Sequence, residues 1–310
     1  RRTGPLDTLR RYTKTHDLGF MVGCPCAAAY RLTGEEAYRQ LLIDASDALL
    51  TRFSPAVGLI RSWDNKNGDP NPYRVIIDNM MNLEMLFTVS KLTGDKRYYD
   101  IAVCHADNTL KNHFRPDNSC FHIVCYDAET GRVTGQRGGQ GYSAASAWSR
   151  GQSWALYGFT MCYRETGDPR YLDRAVKCAE YFINHPRLPE DLVPYWDYDA
   201  PGIPDEPRDA SAGAIAASAL YELALYSDPK YADAADRMLA SLSSDSYTAP
   251  VGENGNFILM HSVGSKPANS EVDVPIVYAD YYYLEAIYRH RQFKKLKKHL
   301  WDGRLPALGK

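Results

Sequence analysis

The chain has 310 residues, 45% of them hydrophobic, which supports a substantial core and argues against disorder. Its formal net charge of −2 provides no basic field of the kind that draws a protein to nucleic acid, and no apolar run is long enough to span a membrane. The 23 tyrosines against 9 phenylalanines favour wet, aromatic-lined surfaces, because tyrosine pairs a flat apolar face with a polar tip.

In chain order, the first notable element is Thr15-His16-Asp17-Leu18-Gly19-Phe20, at the edge of a helix-like segment. A second aspartate follows 61 residues on, in Val75-Ile76-Ile77-Asp78-Asn79-Met80-Met81-Asn82. Both carboxylates sit among apolar neighbours, where an anion is costly and a raised pKa would suit proton transfer near neutral pH. Cys24-Pro25-Cys26 has the wrong spacing for a zinc pair and no second pair completes one, so the seven cysteines read as core or surface thiols.

A local pattern recurs as Arg31-Leu32-Thr33-Gly34-Glu35-Glu36-Ala37-Tyr38, Lys91-Leu92-Thr93-Gly94-Asp95-Lys96-Arg97-Tyr98 and Arg164-Glu165-Thr166-Gly167-Asp168-Pro169-Arg170-Tyr171. A worn copy is Tyr226-Ser227-Asp228-Pro229-Lys230-Tyr231. In each, a helix is expected to end at glycine in the left-handed conformation and an acidic residue to open the next helix. Apolar residues three and four apart follow, as at Ile101, Ala102, Ala106 and Leu110, marking one buried face. Helices are expected before the later turns, over Asn79 to Leu92, Trp154 to Glu165 and Ser211 to Tyr226, so the chain reads as helical hairpins. Ser62 to Pro72, Tyr126 to Gly141, Asp197 to Asp209 and Thr248 to Asp273 read as long loops, a form usually kept for function. The alternation suggests an all-α closed toroid, with a linear solenoid as the alternative. No linker interrupts it, so residues 1–310 are expected to form a single domain.

His122, in Phe121-His122-Ile123-Val124, fits either a site or a satisfied core histidine. Gly141 to Trp154 places Trp148, Arg150, Gln152 and Trp154 around a helix start. Tryptophan faces stack on sugar rings and arginine grips carboxylates bidentately, although a capped helix with a core tryptophan would look the same. Trp63, Trp196 and Tyr281-Tyr282-Tyr283 also fit an aromatic cleft. The basic cluster Arg289, Arg291, Lys294, Lys295, Lys297 and Lys298 reads as a solvated helix face.

Taken together, His16-Asp17-Leu18-Gly19-Phe20, Asp78-Asn79-Met80-Met81-Asn82, Trp148-Ser149-Arg150-Gly151-Gln152-Ser153-Trp154 and Asp280-Tyr281-Tyr282-Tyr283-Leu284-Glu285-Ala286 resemble the signatures of unsaturated glucuronyl hydrolases, glycoside hydrolase family 88. The resemblance implies an (α/α)6 toroid, here lacking its N-terminal part because the family carries further sequence ahead of the first motif. It implies removal of a 4,5-unsaturated uronic acid from the non-reducing end of polysaccharide-lyase products, with no metal or other cofactor. Asp78 corresponds to the general acid/base and Asp17 to the second essential carboxylate. His16, Phe20, His122, Gln140, Trp148, Arg150 and Trp154 correspond to substrate-cleft residues. Ser262, Ser265 and Lys266 fall where relatives recognise sulfate on the next sugar, although the spacing is imperfect and a flexible surface turn fits them better. One departure is Ala144 or Ala145, where the family commonly carries an acidic residue. The expected partner is a short unsaturated oligosaccharide, the expected state a monomer or weak dimer, and the expected location the bacterial cytoplasm or periplasm. An unsaturated rhamnogalacturonyl hydrolase and a catalytically silent glycan-binding toroid are the alternative readings.

Overall fold

The computed structural model describes residues 4–64 and 73–301, with the side chains of 4, 5 and 296–301 excepted. Most of the loop expected over Ser62 to Pro72, and the side chains of Lys297 and Lys298 of the basic cluster, therefore lie outside what is described. The helices are α1 (Cys24–Thr33), α2 (Glu36–Leu50), α3 (Leu83–Thr93), α4 (Lys96–Asn112), α5 (Ser149–Thr166), α6 (Pro169–Ile183), α7 (Ala210–Leu223), α8 (Lys230–Leu242) and α9 (Val277–Trp301). The chain divides into two compact units, one built mainly from residues 1–139 and 161–174, the other mainly from 146–160 and 175–310.

The recurring turns have the expected form. Gly34, Gly94 and Gly167 all take positive φ, near +70°, which glycine adopts without a Cβ penalty. The threonine before each glycine accepts, through its hydroxyl, the backbone N–H of the acidic residue after it, as Thr93 Oγ1 does from Asp95. Asp95 and Asp168 then cap the next helix by accepting from Arg97 N and Arg170 N, and Asp228 repeats this with Lys230 N. The tyrosine that follows reaches back to an acid on the preceding even-numbered helix. Tyr98 donates to Asp47, Tyr171 to Asp107 and Tyr231 to Glu180. The repeat is thus a structural joint, and its conserved chemistry within the chain is spent on holding helices in register.

In the first unit, α1 packs on α2, α2 on α3 and α3 on α4. Two of the segments expected to be loops contain strands. β3 (Tyr73–Ile76), β4 (Ile123–Tyr126) and β5 (Val133–Arg137) form an antiparallel sheet in the order β3-β4-β5, so Tyr126 to Gly141 is partly a hairpin. A smaller hairpin, β1 (Phe53–Ser54) with β2 (Leu59–Ile60), precedes it. In the second unit, β6 (Ser262–Ser265) pairs with β7 (Ser270–Val274) inside the expected loop Thr248 to Asp273. There α7, rich in alanine, is buried over its whole length between α8 and α9, as expected of a helix with no polar face.

Candidate active site

The three-stranded sheet builds the site around Asp78. Ile76, the last residue of β3, pairs with Ile123, the first of β4, and Ile123 pairs with Arg137, the last of β5. One end of the sheet therefore gathers the residues just outside these positions: Asp78, His122 and Gly138. Ile77 N donates to the His122 carbonyl at 3.0 Å, continuing the ladder one step. Asp78 opens a 3-10 turn over Ile77–Asn82 that leads into α3, with its side chain 12% exposed. His122 Nε2 lies 3.7 Å from Asp78 Oδ2.

The imidazole of His122 is clamped. Its Nδ1 is 2.9 Å from the Gly138 carbonyl, which can only accept, so Nδ1 holds the proton and Nε2 is the nitrogen turned to Asp78. Gly139, at φ +64°, lies against the ring: a Cβ there would come within 2.3 Å of Nδ1. The Gly138-Gly139 pair thus serves to hold the histidine.

Asp17 sits at the turn that starts the π-helical segment Gly19–Gly23. Thr15 Oγ1 donates to Asp17 Oδ2 at 2.8 Å, and His16 Nε2 stands 3.1 Å from Oδ1. The expectation that both carboxylates are desolvated holds for Asp78 alone. The Asp17 side chain is 44% exposed, because its apolar sequence neighbours Leu18 and Gly19 turn into the core while the carboxylate faces outward. His16 is buried, and that burial holds its pKa below the usual histidine value against the opposing pull of Asp17. Phe20 lies in the same π-helical turn, half-buried.

Two contacts join the segment of Asp17 to that of Asp78. Gly19 N donates to Asn82 Oδ1 at 2.8 Å, and a Cβ on Gly19 would come within 2.6 Å of Asn82 Cα. The glycine of the first motif is therefore required by backbone contact with the second. Trp63 stands edge-on to both imidazoles, its ring 5.9 Å from His16 and 6.3 Å from His122. Beneath this layer His105 and His113 are fully buried and held neutral by desolvation, His105 down to about 3 and His113 to about 4.

The remaining expected residues belong to the second unit. Arg150 is 2% exposed. Its guanidinium donates to Asp209 Oδ2 at 3.2 Å, to the Gly264 carbonyl at 2.7 Å and to the Val263 carbonyl, and it lies over the rings of Trp148 and Tyr278. Trp148 and Trp154 are each 2% exposed, and Trp154 packs edge-to-face on Tyr282. Gln140 donates to the Gly264 carbonyl at 2.8 Å. Ser262 is fully buried in β6, which also contains Ser265, and Lys266 pairs with Glu206 over the Trp196 ring. A cavity of about 430 Å³ in this unit is lined by Asp205, Glu206, Arg208, Tyr247, His261 and Asp273 among others, none of them an expected site residue. Ser62, Gly139 and Asp209 are members of these two groups that belong to none of the site motifs, and Asn79 and Asn82 stand in the Asp78 motif without a role of their own legible there.

Residues 13–296 match the model of Glycosyl Hydrolase Family 88. The chain is 48% identical over 278 residues, 89% of its length, to an unsaturated glucuronyl hydrolase of Formosa agariphila, of which it covers 69%. It is 37% identical to an unsaturated chondroitin disaccharide hydrolase of Streptococcus pneumoniae, with 88% of this chain and 70% of that one aligned. Among solved structures, an unsaturated glucuronyl hydrolase specific for heparin superposes with a TM-score of 0.90 at 45% identity, over 93% of this chain and 78% of that one. The enzyme from Bacillus sp. GL1 gives 0.85 at 32% identity, over 92% and 78%. The chain belongs to Glycosyl Hydrolase Family 88. It is a glycoside hydrolase of the all-α, α/α-toroid fold class, as the resemblance of its motifs implied.

Proposed function

We propose that the chain removes a 4,5-unsaturated glucuronic acid from the non-reducing end of short oligosaccharides, with Asp78 as general acid and base and Asp17 as its companion carboxylate. The relatives named for unsaturated glucuronyl and unsaturated chondroitin disaccharide substrates support the substrate class. One observation carries the assignment of the acid: Asp78 is a buried carboxylate fixed at a sheet end, faced by a histidine nitrogen whose tautomer is set by a backbone carbonyl.

The substrate contains a vinyl ether, C4=C5–O5. The Asp78 carboxyl gives its proton to C4, leaving positive charge shared between C5 and the ring oxygen. Water adds at C5 and returns a proton to the Asp78 carboxylate, so the residue ends as it began. The hemiketal opens by breaking C5–O5, and the hemiacetal left at C1 expels the aglycone. The Asp78 carboxyl, enclosed and facing the His122 ring nitrogen at 3.7 Å, is suited to a proton transfer shielded from bulk water. Asp17, open to solvent and beside the imidazole of His16, is placed to hold the uronate ring or the attacking water. Arg150 serves as an anchor for the Val263-Gly264 backbone, since Asp209 and two carbonyls already engage its guanidinium.

Unsaturated disaccharides from chondroitin-lyase and heparin-lyase digestion test this reading. The purified protein is expected to abolish their enol-ether absorbance. Preferential turnover of unsaturated rhamnogalacturonyl disaccharides, or binding without any turnover, would overturn it.

A further inference from the structure

The two aspartate segments are joined by a closed ring of hydrogen bonds, and one residue outside both motifs closes it. Starting from Asp17, the neighbouring His16 Nδ1 donates to the Ser62 carbonyl at 2.7 Å. Ser62 Oγ accepts from Asn79 Nδ2 at 3.0 Å, and Asn79 is the residue after Asp78. Asn79 Oδ1 accepts from Asn82 Nδ2 at 3.1 Å, and Asn82 Oδ1 accepts from Gly19 N, two residues beyond Asp17. Every link but Ser62 lies in His16–Phe20 or Asp78–Asn82.

Ser62 is fully buried just after β2, and its three polar backbone and side-chain sites are all used. Its N–H donates to the Arg74 carbonyl at 2.8 Å, and its carbonyl also accepts from Arg52 at 3.2 Å. Its Oγ accepts a second bond, from Ile76 N at 2.9 Å, where β3 ends. The hydroxyl therefore grips the Asp78 segment on both sides of the carboxylate, while the carbonyl of the same residue orients the imidazole beside Asp17. Two carboxylates on separate turns are thus referred to a single rigid point.

We propose that Ser62 is a positioning residue that sets the placement of Asp78 relative to Asp17; this rests on the catalytic reading above. Ser62→Ala removes the acceptor shared by Ile76 N and Asn79 Nδ2 and opens the ring without touching either aspartate. Displacements of this kind cost up to about 100-fold in rate. In the intact protein, Ser62→Ala is expected to lower kcat by about 10- to 100-fold with KM nearly unchanged, and Ser62→Thr, which keeps the hydroxyl, to restore most of the loss. A thermal melt of each variant separates this from loss of folded protein. If Ser62→Ala does not fold, Asn82→Ala opens the same ring at other bonds and is expected to show the same split. A folded Ser62→Ala enzyme with wild-type kcat and only a lowered Tm would overturn the proposal, as would a raised KM with kcat intact. Asp78→Asn in parallel keeps the two readings apart: turnover retained there removes the acid assignment, whatever Ser62 does.

Discussion

Asp78→Asn is expected to lower kcat by about 10²- to 10⁴-fold, the range supplied by a positioned general acid or base. Asparagine matches the shape of the carboxylic acid and can still donate a hydrogen bond, but it has no proton to release to carbon. The change removes transition-state stabilisation of about 3–5 kcal/mol while leaving most ground-state contacts in place, so KM is expected to change little. The fold should tolerate it. The turn carrying Asp78 is anchored by Asn79 to the Ile60 carbonyl at 2.7 Å and by the ladder bond from Ile77 N to His122 O, neither of which involves the carboxylate. Steady-state rates on an unsaturated disaccharide, with a melting curve as control, measure this. Wild-type-like turnover in a folded Asp78→Asn protein would remove Asp78 from the mechanism.

The second large effect is on stability. Asp209 and Arg150 are both essentially buried, at 0% and 2% exposure, and their ion pair is completed by carbonyls on one side and helix N–H groups on the other. Asp209 Oδ1 caps α7 by accepting from Ser211 N at 3.1 Å, and it also receives Val263 N at 3.4 Å. Asp209→Ala strands a buried guanidinium, a change that typically costs about 3–5 kcal/mol, and it removes a helix cap worth about 1 kcal/mol. Asp209→Asn keeps the cap and loses only the charge, so its loss should be smaller. Denaturant unfolding of the three proteins gives both values. A loss below about 1 kcal/mol for the alanine variant would mean that Arg150 is not a committed structural ion, and its guanidinium would again be available for a substrate carboxylate.

The helical hairpins were legible because their joints depend on local chemistry. A left-handed glycine, a threonine bonding two residues on and an acidic cap act within a few residues, so Thr93-Gly94-Asp95 carries its own structure wherever it occurs. The sheet was not legible. β4 is only four residues, Ile123 to Tyr126, all buried, so it shows no alternation to separate it from helix core, and β5 runs through Gly135 in a stretch rich in turn residues. Yet that sheet brings His122 and Gly138 to Asp78 across a long gap in sequence. Exposure failed for a similar reason. The local neighbours of Asp17 and Asp78 look alike, but burial is decided by what packs against each, and only Asp78 is enclosed. Trp148, Arg150 and Trp154 were picked out by residue type, which suits sugar recognition and core packing equally; their burial belongs to tertiary structure. Ser62 stands at the head of a loop whose length suggested function, but nothing in its local sequence singled out the serine, because the bonds it makes to His16, Ile76 and Asn79 are all distant in sequence.

Protonation of C4 by an enzyme carboxyl leaves its mark in the site of deuterium incorporation. Hydrolysis of an unsaturated disaccharide in D₂O, followed by NMR of the products, is expected to show one solvent deuterium at C4 and loss of the C4=C5 double bond in step with release of the aglycone. A released sugar that keeps the C4=C5 bond and carries no deuterium at C4 would show attack at the anomeric carbon instead, and would contradict the account.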